Sequence, residues 1–163
     1  HECSSAASDV YKRQAQGTTL MAHLTALYRR YGYVASVQKS IKMPGLEGAD
    51  RMRAVMDSLR ASPPATIAGL AVERIRDVST GTATVVATGE TTALDLPASN
   101  VIAFDLAAGC RVLARPSGTE PKIKFYFEAR EELGEGEALA AAAERAEARM
   151  TAMREDFFAQ AGI

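Results

Sequence analysis

Residues 122–129, KIKFYFEA, constrain this chain more than any other stretch. Successive side chains of a strand point to opposite faces. Lys122, Lys124, Tyr126 and Glu128 therefore share one side, and Ile123, Phe125 and Phe127 share the other. A strand with one charged and one aromatic face belongs in a sheet covered on one side only. Such a strand needs neighbours, and the chain offers them. Residues 69–77, 82–87, 100–106 and 111–115 are short β-rich runs, and the turns between strands carry Gly81, Gly89, Gly109 and Gly118.

Helical patterns supply the cover. In residues 135–158, Leu139, Ala143, Ala146, Met150, Met153 and Phe157 form one seam. In residues 48–59, Met52, Val55, Met56 and Leu59 form a stripe, and Pro63-Pro64 stops it. In residues 18–31, Leu20, Leu24, Leu27 and Tyr31 share a face; Thr18 or Thr19 can cap this helix and Gly32 can end it. Residues 40–43 read as a short strand closed by the Pro44-Gly45 turn. The expected class is α+β, a mostly antiparallel sheet with helices packed on one face.

Three segments are expected. Residues 1–14, HECSSAASDVYKRQ, show no period and begin with His1. They look like translated adapter or vector sequence, a non-native leader, with a disordered linker as the rival reading. Residues 15–38 read as a remnant helix of a preceding domain, and residues 39–163 as the functional domain.

A net charge of −1 argues against nucleic-acid binding through a broad basic field, yet leaves room for a local pocket that takes one small anion. Cys3 and Cys110 make no metal-ligand spacing and no disulfide framework, so the expected setting is reducing and cytoplasmic, with Cys110 a small core residue in a strand-like segment. No run approaches the roughly 20 apolar residues of a membrane span, and no signal-peptide pattern is expected.

The chemistry concentrates in RVLARPSGTEPKIKFYFE, residues 111–128. A strand ends at Arg115, the loop Pro116 to Pro121 follows, and a second strand starts near Lys122. The two prolines stiffen the loop ends. Gly118 can take a positive φ and admit a ligand close to backbone N–H groups. Ser117 and Thr119 bring hydroxyl donors, Arg115 a planar fork suited to phosphate, and Lys124 a second cation on the polar strand face. On spacing alone, a plain polar hairpin turn explains the same residues equally well; no Walker-type phosphate loop is present.

The run RPSGTEPKIKFYFE, with SNVIAFDLAAGCRVLA before it, resembles the signature of the last domain of the α-D-phosphohexomutases. The KIKFYFE continuation is more similar to bacterial phosphoglucomutases and their phosphopentomutase relatives. LYRRYG, PGLEGADRMRAVMDSLR and IAGLAVERIRD also fit, so the resemblance covers about residues 17–163. It implies the TATA-box-binding-protein-like fold of that domain and a role in an isomerase that moves a phosphoryl group within a sugar, typically between glucose 1-phosphate and glucose 6-phosphate. It implies a phosphoserine and a Mg²⁺ in other domains of the full-length enzyme, not in this part, and a sugar bisphosphate as intermediate and activator. It gives Arg115, Ser117, Gly118, Thr119 and Lys124 the grip on the phosphate that does not react. Lys124 stands where many relatives place Arg. Glu120 is expected to shape the loop as an acceptor rather than serve as an acid.

The partners implied are the phosphosugar and the family's other domains, with no nucleic acid and no membrane. No Thr-Ala-Ser-His-Asn-Pro serine loop, Asp-Gly-Asp metal triplet or Gly-Glu-Glu sugar loop is present, and Ser4, Ser5 and Ser8 lack the right neighbours. This chain by itself is therefore expected to be inactive, with no catalytic and no metal residue. The sugar stays open, with phosphopentomutase and phosphomannomutase as alternatives. A stand-alone phosphosugar-binding module and a sheet-based RNA binder using Lys122, Lys124, Phe125 and Tyr126 are the rival functions. His23 reads as a surface or packed residue, Tyr28 and Tyr31 as interface or core aromatics on the side of the preceding domain, Asp50, Arg51 and Arg53 as a solvated helix face, and Arg74 and Arg76 as strand residues able to line a cleft but without a supporting motif.

Overall fold

Strand β8 (Lys122–Glu131) alternates between half-exposed and buried at every step, as its sequence demands. In the computed structural model, which describes residues 19–163, it pairs on both sides. Its neighbours are β1 (Tyr33–Lys42) and β7 (Arg111–Pro116), both antiparallel. The sheet continues through β6 (Ile102–Leu106), β3 (Leu70–Asp77), β4 (Thr82–Val85) and β5 (Thr91–Ala93), in the order β1-β8-β7-β6-β3-β4-β5, and the short β2 (Thr66–Ile67) pairs with β3.

One face of this sheet is the core. Phe104, Val112, Ala114, Ile123, Phe125 and Phe127 have no exposed surface, and α2 (Gly48–Ala61) and α3 (Leu139–Ala161) cover them. Phe157 of α3 sits among Phe104, Phe125 and Phe127, with ring centroids 5.8, 5.9 and 6.2 Å away in tilted or edge-on geometries. Such contacts add to plain burial because ring edges and faces carry opposite partial charge. Met56 and Leu59 of α2 join the same cluster, so both helices share one core. The α+β reading holds, with the sheet antiparallel throughout.

Helix α1 (Leu20–Tyr31) is capped as its sequence suggests: the Thr19 side chain accepts from the Ala22 N–H at 3.0 Å, and Gly32 ends it at φ +88°. Its apolar stripe stays outside the core, with Leu20 and Tyr31 each 57% exposed, and Tyr28 meets Tyr33 edge-on at 5.1 Å.

Several boundaries differ from expectation. The strand expected at residues 40–43 is the end of ten-residue β1, which pairs with β8 from Tyr33 onward. The boundary drawn after residue 38 falls inside that strand, so residues 33–38 belong to the sheet. Lys39 interrupts the apolar alternation of Tyr33, Ala35, Val37 and Ile41, which hid the strand. β2 and β5 are too short to show a period. Helix α3 begins at Leu139 rather than 135, because Gly136 takes φ +75° and Glu137 folds back to accept the Gly134 N–H. Ala142, not Ala143, is the fully buried alanine of its first turns. Cys110 is buried as expected, but in the turn before β7. Residues 1–14 and Cys3 lie outside the described residues.

At the far end of β8, Glu131 is a buried carboxylate, 6% exposed, held by the guanidinium groups of Arg149 and Arg145 on α3. Burial pushes its carboxyl up, but the hydrogen bond and charge of Arg149, then of Arg145, outweigh that and leave it below the ordinary value of 4.5. A lowered folded-state pKa stabilises above the unfolded value, and the contribution fades as pH falls through the folded one. Glu131→Gln should therefore destabilise the chain at neutral pH, and the gap to wild type should close below pH 4.5. Urea denaturation at several pH values checks this; a gap that does not depend on pH would remove the ion-pair explanation. In the same assay Phe157→Ala should cost about 3–5 kcal/mol, since it empties the centre of the aromatic cluster. A cost under about 1 kcal/mol would mean that α3 is not fastened there.

Candidate anion-binding site

The β7–β8 connection lies at one end of the sheet. The Ser117 N–H donates to the Lys122 carbonyl at 2.8 Å, and the Lys122 N–H to the Glu120 carbonyl at 2.8 Å, which closes a tight loop. The Thr119 N–H reaches the Ser117 hydroxyl at 3.5 Å. Among the described residues, no protein acceptor takes the N–H of Gly118 or Glu120. These amides are free to meet an anion.

The loop is braced from outside. The Met43 N–H donates to the Pro121 carbonyl at 2.7 Å, joining the end of β1 to the loop. Gly48, the first residue of α2, lies so close that an added Cβ would stand 1.8 Å from the Met43 carbonyl oxygen and 3.3 Å from Pro121. Only glycine lets the helix start there.

Arg115 and Lys124 face each other across the β7–β8 pair, and Ser40 of β1 stands opposite Lys124 on its other side. Some nearby cations have acids, although Lys42, opposite Lys122, has none within ion-pair distance among the described residues. Lys122 binds both oxygens of Glu120 at 3.0 Å, Arg111 binds Asp105 at 2.8 Å, and Arg53 binds Asp50 at 2.8 Å. Arg115 and Lys124 have no acidic partner among the described residues. Like charges directly opposite in a sheet repel, so this pair stands ready for an anion. Glu120 behaves as an ionised acceptor: the Lys122 hydrogen bond and charge, helped by Lys42 and Lys124, hold its carboxyl below its usual range.

The expected residues do not all meet in one space. Arg115, Ser117 and Gly118 line a groove of about 420 Å³, whose other walls are Ser99, Asn100 and, from α2, Ala49, Met52 and Arg53. Thr119 lines an adjoining hollow with Ser117, Gly118 and Leu46. Lys124 lines neither; it is half-exposed on the open sheet face opposite Arg115. Gly118 does not take a positive φ, and a Cβ there would meet nothing within 4 Å. The expected left-handed turn is therefore absent, while the Gly118 backbone N–H stays accessible at the groove. Arg53 pairs with Asp50 as a helix-face residue should, yet it also reaches the groove. Asn100 and Ser99 were not read as site residues: they head the run SNVIAFDLAAGCRVLA that carries the resemblance, but nothing in the sequence brings them beside the loop.

Other expectations resolve here too. Arg76 binds Asp105 at 2.6 Å and is thereby tied up in the sheet. Phe125 is fully buried, which leaves Tyr126 alone of the two aromatics on the open face and weakens an RNA-stacking platform. Among the described residues no group of three or more His, Cys, Asp or Glu side chains could hold a metal ion, and no helix is long and apolar enough to cross a membrane.

The family model for the phosphoglucomutase/phosphomannomutase C-terminal domain matches residues 64–146, a span that contains the whole loop. The chain belongs to that family. Relatives include a phosphoglucomutase of Staphylococcus aureus, 38% identical over 110 residues, which are 68% of this chain and 20% of the relative. A probable phosphomannomutase of Haemophilus influenzae is 36% identical over 116 residues, 71% of this chain and 20% of the relative. The chain thus spans about a fifth of the length of the curated relatives it matches. A solved structure of the Paramecium phosphoglucomutase parafusin, in its open form, aligns with 88% of this chain and 23% of its own at 15% identity and a TM-score of 0.45, too loose a likeness to carry argument.

Within this family domain, the opposed cations yield a measurable conflict. Lys124→Met should raise stability by about 0.2–1 kcal/mol at low salt, by relieving repulsion from Arg115. The gain should shrink at high salt, where screening already does the same work. Thermal denaturation at two ionic strengths checks it; a loss of stability would show that Lys124 supports the fold rather than strains it.

Proposed function

We propose that this chain is the phosphate-gripping part of a phosphohexomutase of the phosphoglucomutase type, and that it binds the non-reacting phosphate of a hexose 1- or 6-phosphate. The supporting observation is the Arg115–Lys124 pair, two opposed cations without an acid, beside a loop whose Gly118 and Glu120 amides are unclaimed. Arg115, Ser117 and Gly118 hold the phosphate in the groove, Thr119 adds a hydroxyl from the adjoining hollow, and Lys124 contributes charge from the sheet face. Binding energy taken from this remote phosphate can orient the reacting end of the sugar. In this reading the transfer itself, with its phosphoserine, Mg²⁺ and bisphosphate intermediate, belongs to the remainder of such an enzyme. Choice among hexose and pentose sugars lies there too. The setting is cytoplasmic in this reading, and the buried free thiol of Cys110 suits a reducing compartment.

Titration calorimetry with glucose 1-phosphate, glucose 6-phosphate, inorganic phosphate and glucose tests the proposal. The three phosphates should bind in competition, and glucose should not bind. Arg115→Ala should weaken the phosphates about tenfold or more, as expected for loss of a charged hydrogen bond. Equal binding by wild type and Arg115→Ala would sink the proposal. A coupled assay for glucose 6-phosphate formation should show no turnover by this chain.

A further inference from the structure

We infer that Asn100 is a further phosphate-binding residue, its side-chain amide aimed into the groove by Arg60 and Asp77. The inference rests on the anion-site reading above. The Arg60 Nη2 lies 2.7 Å from the Asn100 side-chain oxygen, 2.9 Å separates Arg60 Nε from one Asp77 oxygen, and 3.4 Å separates Nη2 from the other. A guanidinium only donates, so the atom it touches on Asn100 must be the carbonyl oxygen. The orientation of the amide, often ambiguous, is settled by that chemistry. The Nδ2 group therefore points away from Arg60, and among the described residues it has no acceptor.

The clamp behind Asn100 is well built. The Arg60 and Asp77 side chains are 22% and 15% exposed. The Asp77 Oδ1 also accepts from the Ser79 N–H at 3.0 Å and the Ser79 hydroxyl at 2.6 Å. The segment carrying Asn100 is stitched to the β3–β4 connection by the Val78 N–H donating to the Val101 carbonyl at 3.0 Å. Asn100 lines the groove together with Arg115, Ser117 and Gly118. An amide whose oxygen is occupied presents only N–H donors, and the ionised oxygens of a phosphate are acceptors. The grip thus has two sides: the β7–β8 loop on one, and Asn100, backed by Arg60 and Asp77, on the other.

The test follows side-chain and backbone amide signals of the 163-residue chain by two-dimensional NMR during titration with inorganic phosphate. The expected result is that the Asn100 Nδ2 protons shift along the same saturation curve as the backbone amides of Gly118 and Glu120. Movement of those backbone amides with a still Asn100 side chain would overturn the inference and leave the anion site standing. If none of them moves, the anion site and the inference fall together. Variants add a second readout. Asn100→Asp keeps the acceptor for Arg60, so the fold should survive, but it replaces the donor with a repelling charge. Phosphate affinity should drop about tenfold in Asn100→Ala and further in Asn100→Asp. Retention of wild-type affinity by Asn100→Asp would mean that Asn100 only holds Arg60, and would overturn the proposal.

Discussion

The period-two pattern of β8 is the constraint on which the rest of the structure hangs. Its buried residues anchor the aromatic cluster that fastens α3 to the sheet. Its half-exposed residues set the charges on the opposite face. Because β8 pairs with both β1 and β7, one register places Lys124 between Arg115 and Ser40 at the same time. A slip by one residue would turn Phe125 and Phe127 outward and Lys124 into the core. The hydrophobic core and the candidate site are therefore two faces of a single alignment, and the energy that locks one positions the other.

The charged residues around the loop sort into two kinds. Lys122, Arg111 and Arg53 are matched with acids and serve the local structure. Arg115 and Lys124 are left facing each other. Exposed pairs add little stability each, so the meaning of the matched ones is mainly that they take those cations out of contention. Together with Lys42, which also lacks an ion-pair partner among the described residues, they form a positive spot on a chain whose total charge is −1. This explains how a slightly acidic protein can favour an anion at one place.

Much of this was legible in the sequence, for reasons that differ by element. The alternation in residues 122–129 and the stripes of α2 and α3 are strong because burial imposes their periods. The reading of the β7–β8 loop as a candidate phosphate site came only through its resemblance, since a polar hairpin turn satisfies the same spacing. β1 was mostly missed: as an edge strand it has one neighbour, and Lys39 breaks its alternation. The placement of Asn100 was invisible because it depends on a contact with Arg60, 40 positions earlier in the chain. The positive φ expected of Gly118 is not adopted, because a tight loop can close without a left-handed residue.

The sheet order has a consequence for how such a domain comes into being. Among the described residues β1 is the first strand, yet its only neighbour is β8, the last, roughly 80–100 residues later. Pairing across such a distance costs loop-closure entropy before any contact is gained. During synthesis β1 must therefore wait, its edge unsatisfied, until β8 has left the ribosome. The same event draws Met43 onto Pro121 and seats α2 against the loop. A chain cut short anywhere before β8 would therefore lack the candidate site and expose a strand edge prone to aggregation.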